Sequence, residues 1–223
     1  MKSKFGGADD SKKNVKSGVK EQTKKTSPVK EVKKEKKPAG KPAVAAPNVT
    51  PAAAPKATLS GGHLSKDGLF SYFDEHGIGF TNVDHPEVFT VEAMMPFLKN
   101  VQGAICKNLF LKDKKKNLYL LSAVHDREVK LNDVAKQIGA KELRFGDESV
   151  MMEVLGVSQG CVTAFALVND KEKKVKFVVD SALLDGSHAR VNFHPMVNTA
   201  TTGLSTKDFE KLLKITGHTV LKF

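Results

Sequence analysis

Three short stretches of the sequence carry residue types that could bind or activate a substrate. Lys107 and Asn108 stand directly in front of the apolar run 109–111, so we expect them at the mouth of a buried strand. Burial makes an ammonium group costly unless an anion or a set of acceptors meets it, so this lysine could contact a phosphate or an oxyanion. Its long aliphatic stem could equally carry the ammonium out to water.

The second stretch is the loop 156–164, with glycines at positions 156 and 160. Glycine permits close approach of the backbone to a ligand, although an ordinary turn has the same composition. The third stretch follows a predicted strand and presents His194 and Asn198. A histidine satisfied locally at a strand end is the simpler interpretation, and the residues alone leave both interpretations open.

Motifs of the common enzyme classes are absent from the sequence. It has no Gly-x-Gly-x-x-Gly, no Walker loop and no His-Glu-x-x-His. The seven histidines and two cysteines show no ligand spacing, so we predict no metal and no cofactor. A nucleophilic Cys106 or Cys161 is chemically possible, but small buried thiols are commoner. Two cysteines give no disulfide framework, which is typical of a protein in the reducing cytoplasm.

The elements that must position these stretches alternate along the chain. Helices are predicted after Ser65, over 91–99, after Asn132, over 147–155 and after Ser205. Strands are predicted at 78–83, 107–111, 118–124, 162–168, 175–179 and 189–193. Because helices and strands are interspersed and short turns join several strands, we expect an α/β fold. Its sheet would be mixed and mostly antiparallel, with helices packed around it.

The positive charge is concentrated in the first 60 residues. They hold 15 lysines and 5 acidic residues, a net charge of +10, whereas the remainder holds 21 basic and 20 acidic residues. Residues 1–63 are rich in lysine and then in proline and alanine, so we expect a disordered tail and linker before a domain at 64–223. The tail would attract a polyanion or serve solubility alone. No apolar run could cross a bilayer, so we predict no membrane partner.

Five motifs in this sequence occur together in one protein family. They are VDHPEVFT at 83–90, KNLFLKD at 107–113, LRF at 143–145, GCVT at 160–163, and FHP at 193–195 with Asn198, Thr201 and Thr202. The chain resembles the YbaK-like editing domains associated with prolyl-tRNA synthetase. Within them it is most similar to the freestanding Ala-tRNA(Pro) deacylases known as ProXp-ala or PrdX. The resemblance covers about residues 66–221, so the tail lies outside it.

This resemblance implies a trans-editing hydrolase that cleaves alanine from mischarged tRNA(Pro) and so protects translation fidelity. It implies catalytic roles for Lys107, Asn108 and His194. The substrate-binding residues that it implies are Phe89, Thr90, Gly160, Cys161, Val162, Thr163, Ala164 and Asn198. It also implies tRNA(Pro) and prolyl-tRNA synthetase as partners. The charge of the lysine-rich tail, which lies outside the resemblance, would favour its binding to the tRNA backbone.

One departure from the family pattern keeps other functions open. The Gly-x-x-x-Pro loop of the family falls on 160–164, where Ala164 takes the place of the proline. A non-catalytic module that binds tRNA or the synthetase would tolerate this change, and so would a deacylase for serine or cysteine. The joint presence of Lys107, Asn108 and His194 favours the deacylase.

Removal of residues 1–60 should weaken binding to tRNA and make its salt dependence shallower. The truncated chain loses the charge of +10 that would neutralise phosphates, and each lost phosphate contact lowers the salt slope by about 0.9. Dissociation constants of the full and truncated chains at several salt concentrations measure this effect. Equal affinities and slopes would show that the tail serves solubility alone.

Overall fold

The structure, a computed structural model, describes residues 62–223. The predicted tail and linker therefore lie outside the described residues, apart from positions 62 and 63. No helix in the described range is long and apolar enough to span a membrane.

Five α-helices and three 3-10 segments occupy the described part of the chain. The α-helices are α1 Lys66–Glu75, α2 Val91–Met94, α3 Leu131–Gln137, α4 Glu148–Leu155 and α5 Thr206–Thr216, and the 3-10 segments are Met95–Leu98, Ala164–Val168 and Ser181–Leu183. The Oγ atoms of Ser65 and Ser205 and the Oγ1 atom of Thr90 accept backbone N–H groups in the first turns of α1, α5 and α2. These caps confirm the predicted helix starts, because each satisfies a donor that the helix leaves unpaired.

Eight strands form one mixed sheet within residues 62–223. They are β1 Phe80–Asp84, β2 Ala104–Lys112, β3 Leu118–Val124, β4 Arg144–Phe145, β5 Val175–Val179, β6 Arg190–Phe193, β7 Ala200–Ser205 and β8 Val220–Lys222. The strand order is β1-β7-β6-β2-β3-β5-β8, and β4 pairs with β2. The β1–β7, β6–β7, β2–β3 and β2–β4 pairs are antiparallel and the other three pairs are parallel. The predicted mixed, mostly antiparallel sheet is confirmed.

The sheet divides along β2. On one side, β2 pairs with β3 over seven consecutive residues, Cys106 to Lys112. On the other side, it pairs with β6 only at Ala104 and Ile105, and with β4 only at Leu111 and Lys112. Between these two short pairings, residues 106–110 of β2 have no strand beside them in the described part of the sheet. A gap therefore opens along this edge.

Both faces of β2 are covered, as its sequence predicts. Phe110 packs into the larger core cluster, which includes Phe165, Phe193 and Phe209. Leu109 and Leu111 pack on the opposite face with Val134 of α3. Successive side chains of a strand point to opposite faces, so this alternation also separates Lys107 from Asn108.

Two predictions about the elements are wrong. Lys107 and Asn108 lie inside β2, which begins three residues before Lys107, and not at its mouth. The predicted strand at 162–168 is a 3-10 helix over Ala164–Val168, capped by Thr163 Oγ1, which accepts the N–H of Phe165. Its five residues are all buried, and a short apolar run does not distinguish a strand from a helix by periodicity.

The prediction also omitted β4, β7 and β8. Two of these strands have only two or three residues, and β7 contains Gly203, which weakens a strand signal. These strands exist because of the partners with which they pair, and a local pattern does not reveal such partners.

Candidate active site

A cleft of about 320 Å³ lies at the gap along β2. Its lining residues come from β2, from the segment that begins with β4, from α4 and from the loop after α4. They are Asn108, Leu109, Phe110, Phe145, Gly146, Glu148, Met151, Gln159, Gly160 and Val162. We call this the β2 cleft. It brings together Asn108, Gly160 and Val162 from the set of site residues that the sequence predicts.

A second cavity of about 550 Å³ lies on the other side of the loop after α4. Its lining includes Phe89, Cys161 and Asn198 from the predicted site, together with Gln159 and Met196. We call this the α4-loop cavity. Gly160 and Val162 line the β2 cleft while Cys161 lines the α4-loop cavity, so the loop forms a wall between the two spaces.

The loop after α4 depends on glycine at two positions. Gly156 ends α4 with φ +69°, and a Cβ atom there would lie 2.6 Å from atoms of the His63 side chain. Gly160 has φ +87°, which L side chains rarely adopt, and a Cβ atom would lie 3.4 Å from the ring of Phe89. Of the two glycines, Gly160 lines the β2 cleft and Gly156 lines the α4-loop cavity.

Ala164 fits the position that proline holds in the family. It is the first residue of the 3-10 helix and is 1% exposed. Its backbone N–H donates no hydrogen bond to any described residue. A proline lacks that N–H and is well accommodated at the start of a helix, so either residue can begin this segment.

Asn108 is held in a fixed orientation at the wall of the β2 cleft. Its Oδ1 accepts a hydrogen bond of 2.6 Å from the Oγ of the buried Ser122 on β3. Its Nδ2 has no acceptor among residues 62–223, so two N–H donors are available to a ligand. The backbone N–H groups of Gly160 and Val162 likewise have no acceptor in the described part of the chain.

Lys107 does not line the β2 cleft. Its Nζ donates a hydrogen bond to the backbone oxygen of Arg127, beyond the end of β3. The Arg127 guanidinium in turn binds the fully buried Asp180 through hydrogen bonds of 2.6 and 2.8 Å. In the described structure the Lys107 ammonium forms no ion pair, so a neutral carbonyl is its direct partner.

His194 lines neither cavity. Its Nδ1 lies 3.0 Å from the backbone oxygen of Ala200, and since a carbonyl only accepts, this nitrogen carries the proton. Burial lowers the pKa of His194, and the nearby His85, 6.3 Å away between ring centroids, adds to this lowering, while the Ala200 hydrogen bond opposes it. The ring is therefore neutral at physiological pH, with Nε2 as an acceptor.

The remaining predicted residues divide between positions that line a cavity and positions that cap a helix. Phe89 is 71% exposed on the α4-loop cavity, and Asn198 Nδ2 donates to Glu87 Oε1 at 3.0 Å beside it. Thr90 uses its hydroxyl to cap α2, and the buried Thr163 caps a 3-10 helix. Both side chains thus contribute to the fold, and neither residue lines the β2 cleft or the α4-loop cavity.

Neither cysteine has the surroundings of a nucleophile. Cys106 and Cys161 are both free thiols. Burial raises the pKa of the Cys106 thiol far above its usual range, which disfavours the reactive thiolate. Cys161 is partly exposed in the α4-loop cavity, and no histidine forms a hydrogen bond with it among the described residues.

Phe145, Met151 and Gln159 line the β2 cleft although the sequence did not identify them as site residues. Phe145 belongs to the LRF motif, which supported the family resemblance but to which no function was assigned. Met151 and Gln159 gave no signal that separates them from ordinary helix and loop residues.

The sequence of this chain is similar to proteins of one family. Residues 85–212 match the model of the aminoacyl-tRNA editing domain. The prolyl-tRNA synthetase associated domain-containing protein 1 of Bos taurus is 57% identical over 139 residues, which cover 61% of this chain and 81% of that protein. The prolyl-tRNA editing protein ProX of Acetoanaerobium sticklandii is 35% identical over 157 residues, which cover 70% of this chain and 94% of that protein.

A solved structure has the same fold. It is described as a candidate trans-editing enzyme for prolyl tRNA synthetase, and it matches with a TM-score of 0.55 and 19% identity over 77% of this chain and 98% of that chain. At this identity the match establishes the shared fold alone.

The stability of the domain should fall as the pH drops below about 6.5, with a contribution from His194. The unfolded chain takes up a proton on this residue near its ordinary pKa of 6.5, whereas the folded chain does so only at lower pH. The pKa of His218 is also lowered, mainly by burial, and acts in the same direction. Thermal unfolding midpoints at about pH 7.5 and about pH 5.5 should therefore differ less in His194→Asn than in the unchanged protein. An equal difference in both proteins would contradict this assignment.

Proposed function

Because this chain belongs to the aminoacyl-tRNA editing domain family, we propose that it hydrolyses the ester bond between a wrongly attached amino acid and tRNA. We further propose that the substrate is alanine on tRNA(Pro) and that the protein acts in trans in the cytoplasm. The match over residues 85–212 carries the proposal, because this range holds the β2 cleft and every predicted site residue. The similarity to a prolyl-tRNA editing protein supports the choice of tRNA.

The β2 cleft offers what ester hydrolysis requires. In the reaction, water attacks the ester carbonyl carbon, the bond to the ribose oxygen breaks, and that oxygen receives a proton. The Asn108 amide and the Gly160 and Val162 N–H groups could donate to the oxyanion that forms on the carbonyl oxygen. An aminoacyl ester is already reactive, so positioning and a few donors supply enough catalysis.

Glu148 carries the one carboxylate among the residues that line the cleft, so it is a candidate general base. The Glu148 carboxylate lies at the cleft and accepts the backbone N–H of Gln159 at 3.2 Å. This contact joins the start of α4 to the loop, so we assign Glu148 to holding the loop. Water activation then falls to a backbone carbonyl or to the free ribose hydroxyl of the substrate.

Selection for a small amino acid would follow from the walls of the cleft. Phe110, Met151 and Val162 line it, and Phe110 and Met151 belong to the packed core. A rigid apolar wall rejects a larger side chain by steric clash, which is easier than rejecting a smaller one. Alanine, serine and cysteine have the small side chains that such a wall would admit.

Lys107 supplies the charge that an RNA substrate would require. Its ammonium is bonded to a neutral carbonyl and forms no direct ion pair in the described structure, although the Glu92 carboxylate lies near enough to interact with its charge. It is the immediate neighbour of Asn108, and its flexible stem could turn from Arg127 O to a phosphate of the bound tRNA end. The lysine-rich tail would add affinity that does not depend on base sequence. Prolyl-tRNA synthetase, the source of the mischarged tRNA, is the protein partner that this role implies.

A second candidate function is non-catalytic binding of tRNA or of the synthetase. The positions of Lys107 and His194, outside the β2 cleft, favour it.

Incubation of the full chain with a panel of mischarged tRNAs tests these functions. The expected result is release of alanine from Ala-tRNA(Pro), with much slower release of proline from Pro-tRNA(Pro). Equal or faster release of serine or cysteine would identify another small aminoacyl substrate. Binding of every tRNA without release of any amino acid would establish the non-catalytic module.

Lys107→Ala should reduce the hydrolysis of Ala-tRNA(Pro) by roughly 30- to 1000-fold and leave the unfolding midpoint almost unchanged. A lost charge contact to the transition state costs about 2–4 kcal/mol, whereas the one hydrogen bond to Arg127 O contributes about 1 kcal/mol to stability. Lys107→Arg should restore only part of the rate, because a guanidinium does not reproduce a compact charge. Lys214→Ala on the exposed side of α5 removes the same charge away from both cavities and serves as the control. Equal rates for the two alanine variants would remove Lys107 from the mechanism.

A further inference from the structure

The LRF motif at 143–145 has no role in the chemistry described so far. Leu143 is 5% exposed and packs in the cluster beneath α3, whereas Phe145 is 65% exposed. Two large apolar residues of one short motif thus have opposite environments. Leu143 anchors the segment in the core, whereas the exposed ring of Phe145 makes no contribution of this kind.

The backbone around Phe145 is held firmly. Phe145 pairs with Leu111 in the short β2–β4 ladder, and the next residue, Gly146, donates its N–H to Phe110 O at 2.9 Å. A Cβ atom on Gly146 would lie 2.5 Å from the Phe110 ring, so only glycine lets the chain pass this close to the floor of the cleft. The exposed ring is therefore carried by an ordered segment.

The ring of Phe145 lines the β2 cleft and forms no stacked or edge-on pair with another aromatic ring within residues 62–223. The core phenylalanines pack against one another, and the exposed Phe97 stacks on His85 with centroids 5.9 Å apart. Phe145 forms no such pair, and it shares the cleft with Asn108 and Gly160. An exposed aromatic face at the wall of a candidate site is suited to a planar ligand.

We propose that Phe145 stacks on a base at the single-stranded 3′ end of tRNA. This inference rests on the proposed function, because the ester at Asn108 and Gly160 fixes where the adjoining nucleotide must lie. Single-stranded RNA is bound by aromatic side chains on which its bases stack, and Phe145 is the exposed ring in the same cleft as Asn108. The neighbouring exposed Arg144 adds positive charge for the RNA backbone.

Phe89 is the competing platform. It is 71% exposed, but its ring lies against Gly160 on the side of the α4-loop cavity, away from Asn108. The two rings therefore predict different positions for the base, and an experiment can separate them.

A fluorescent base tests the stacking directly. An RNA oligonucleotide ending in 2-aminopurine loses fluorescence when that base stacks on an aromatic ring. The full chain should quench the fluorescence on binding, Phe145→Leu should lose most of the quenching, and Phe145→Tyr should retain it. Phe97→Leu removes an exposed ring that lines neither cavity and should quench like the unchanged protein. Absence of quenching by the unchanged protein, or its loss in Phe89→Leu but not in Phe145→Leu, would overturn the proposal.

Kinetics on Ala-tRNA(Pro) provide the second readout. Because one base–aromatic stack contributes about 1–3 kcal/mol, Phe145→Leu should raise KM on the order of tenfold and leave kcat nearly unchanged. An unchanged KM in a protein that hydrolyses the substrate would refute the stacking role and leave the proposed function intact. If the unchanged protein quenches the fluorescent base through Phe145 but hydrolyses no mischarged tRNA, the proposed function fails and the stacking site stands.

Discussion

The structure depends on the way in which β2 divides its hydrogen bonds between neighbours. One edge of the strand is paired with β3 over seven residues, and the other edge is shared between β6 at one end and β4 at the other. A strand that changes partners leaves its middle residues free on one side. The β2 cleft occupies this space, so the candidate site is a consequence of sheet topology and would not exist in a sheet with a continuous partner. The connection through parallel β6 and antiparallel β3 resembles the switch points at which ligands bind in open α/β sheets.

Polar groups on and after β3 support the two faces of β2 separately. Ser122 fixes the amide of Asn108 on the side of the cleft. On the other side, Arg127 provides the carbonyl that receives Lys107, and its guanidinium is anchored by Asp180. Although burial raises the pKa of Asp180, hydrogen bonds from Arg127 and from the Ala182 N–H hold it below its ordinary value, so the carboxylate remains charged. The Asn108 amide at the cleft and the Lys107 ammonium on the opposite face are thus held by separate groups.

Local chemistry made much of this fold predictable. The helix starts were predicted from Ser65, Thr90 and Ser205, because a capping hydroxyl accepts a backbone N–H group in the first turn of the helix that follows it. The alternation of Leu109 and Phe110 predicted a strand covered on both faces for a similar reason. The cleft was not predictable, since it depends on where β6 and β4 meet β2, and no local pattern encodes those contacts. Lys107 and Asn108 lie inside β2 and not at its mouth because the strand extends back to Ala104, and strand geometry directs the two side chains to opposite faces. Phe145 was visible in a motif, but its exposure depends on a two-residue pairing.

The bare edge of β2 also bears on self-association. Unpaired strand edges are templates for strands of other molecules, and residues 106–110 of β2 have no strand on this side in the described structure. The loop with Gly160 forms part of the wall of the cleft beside this edge and so limits the access of another strand. Substitutions that loosen this loop should therefore cause aggregation at high protein concentration before they unfold the helices or the rest of the sheet.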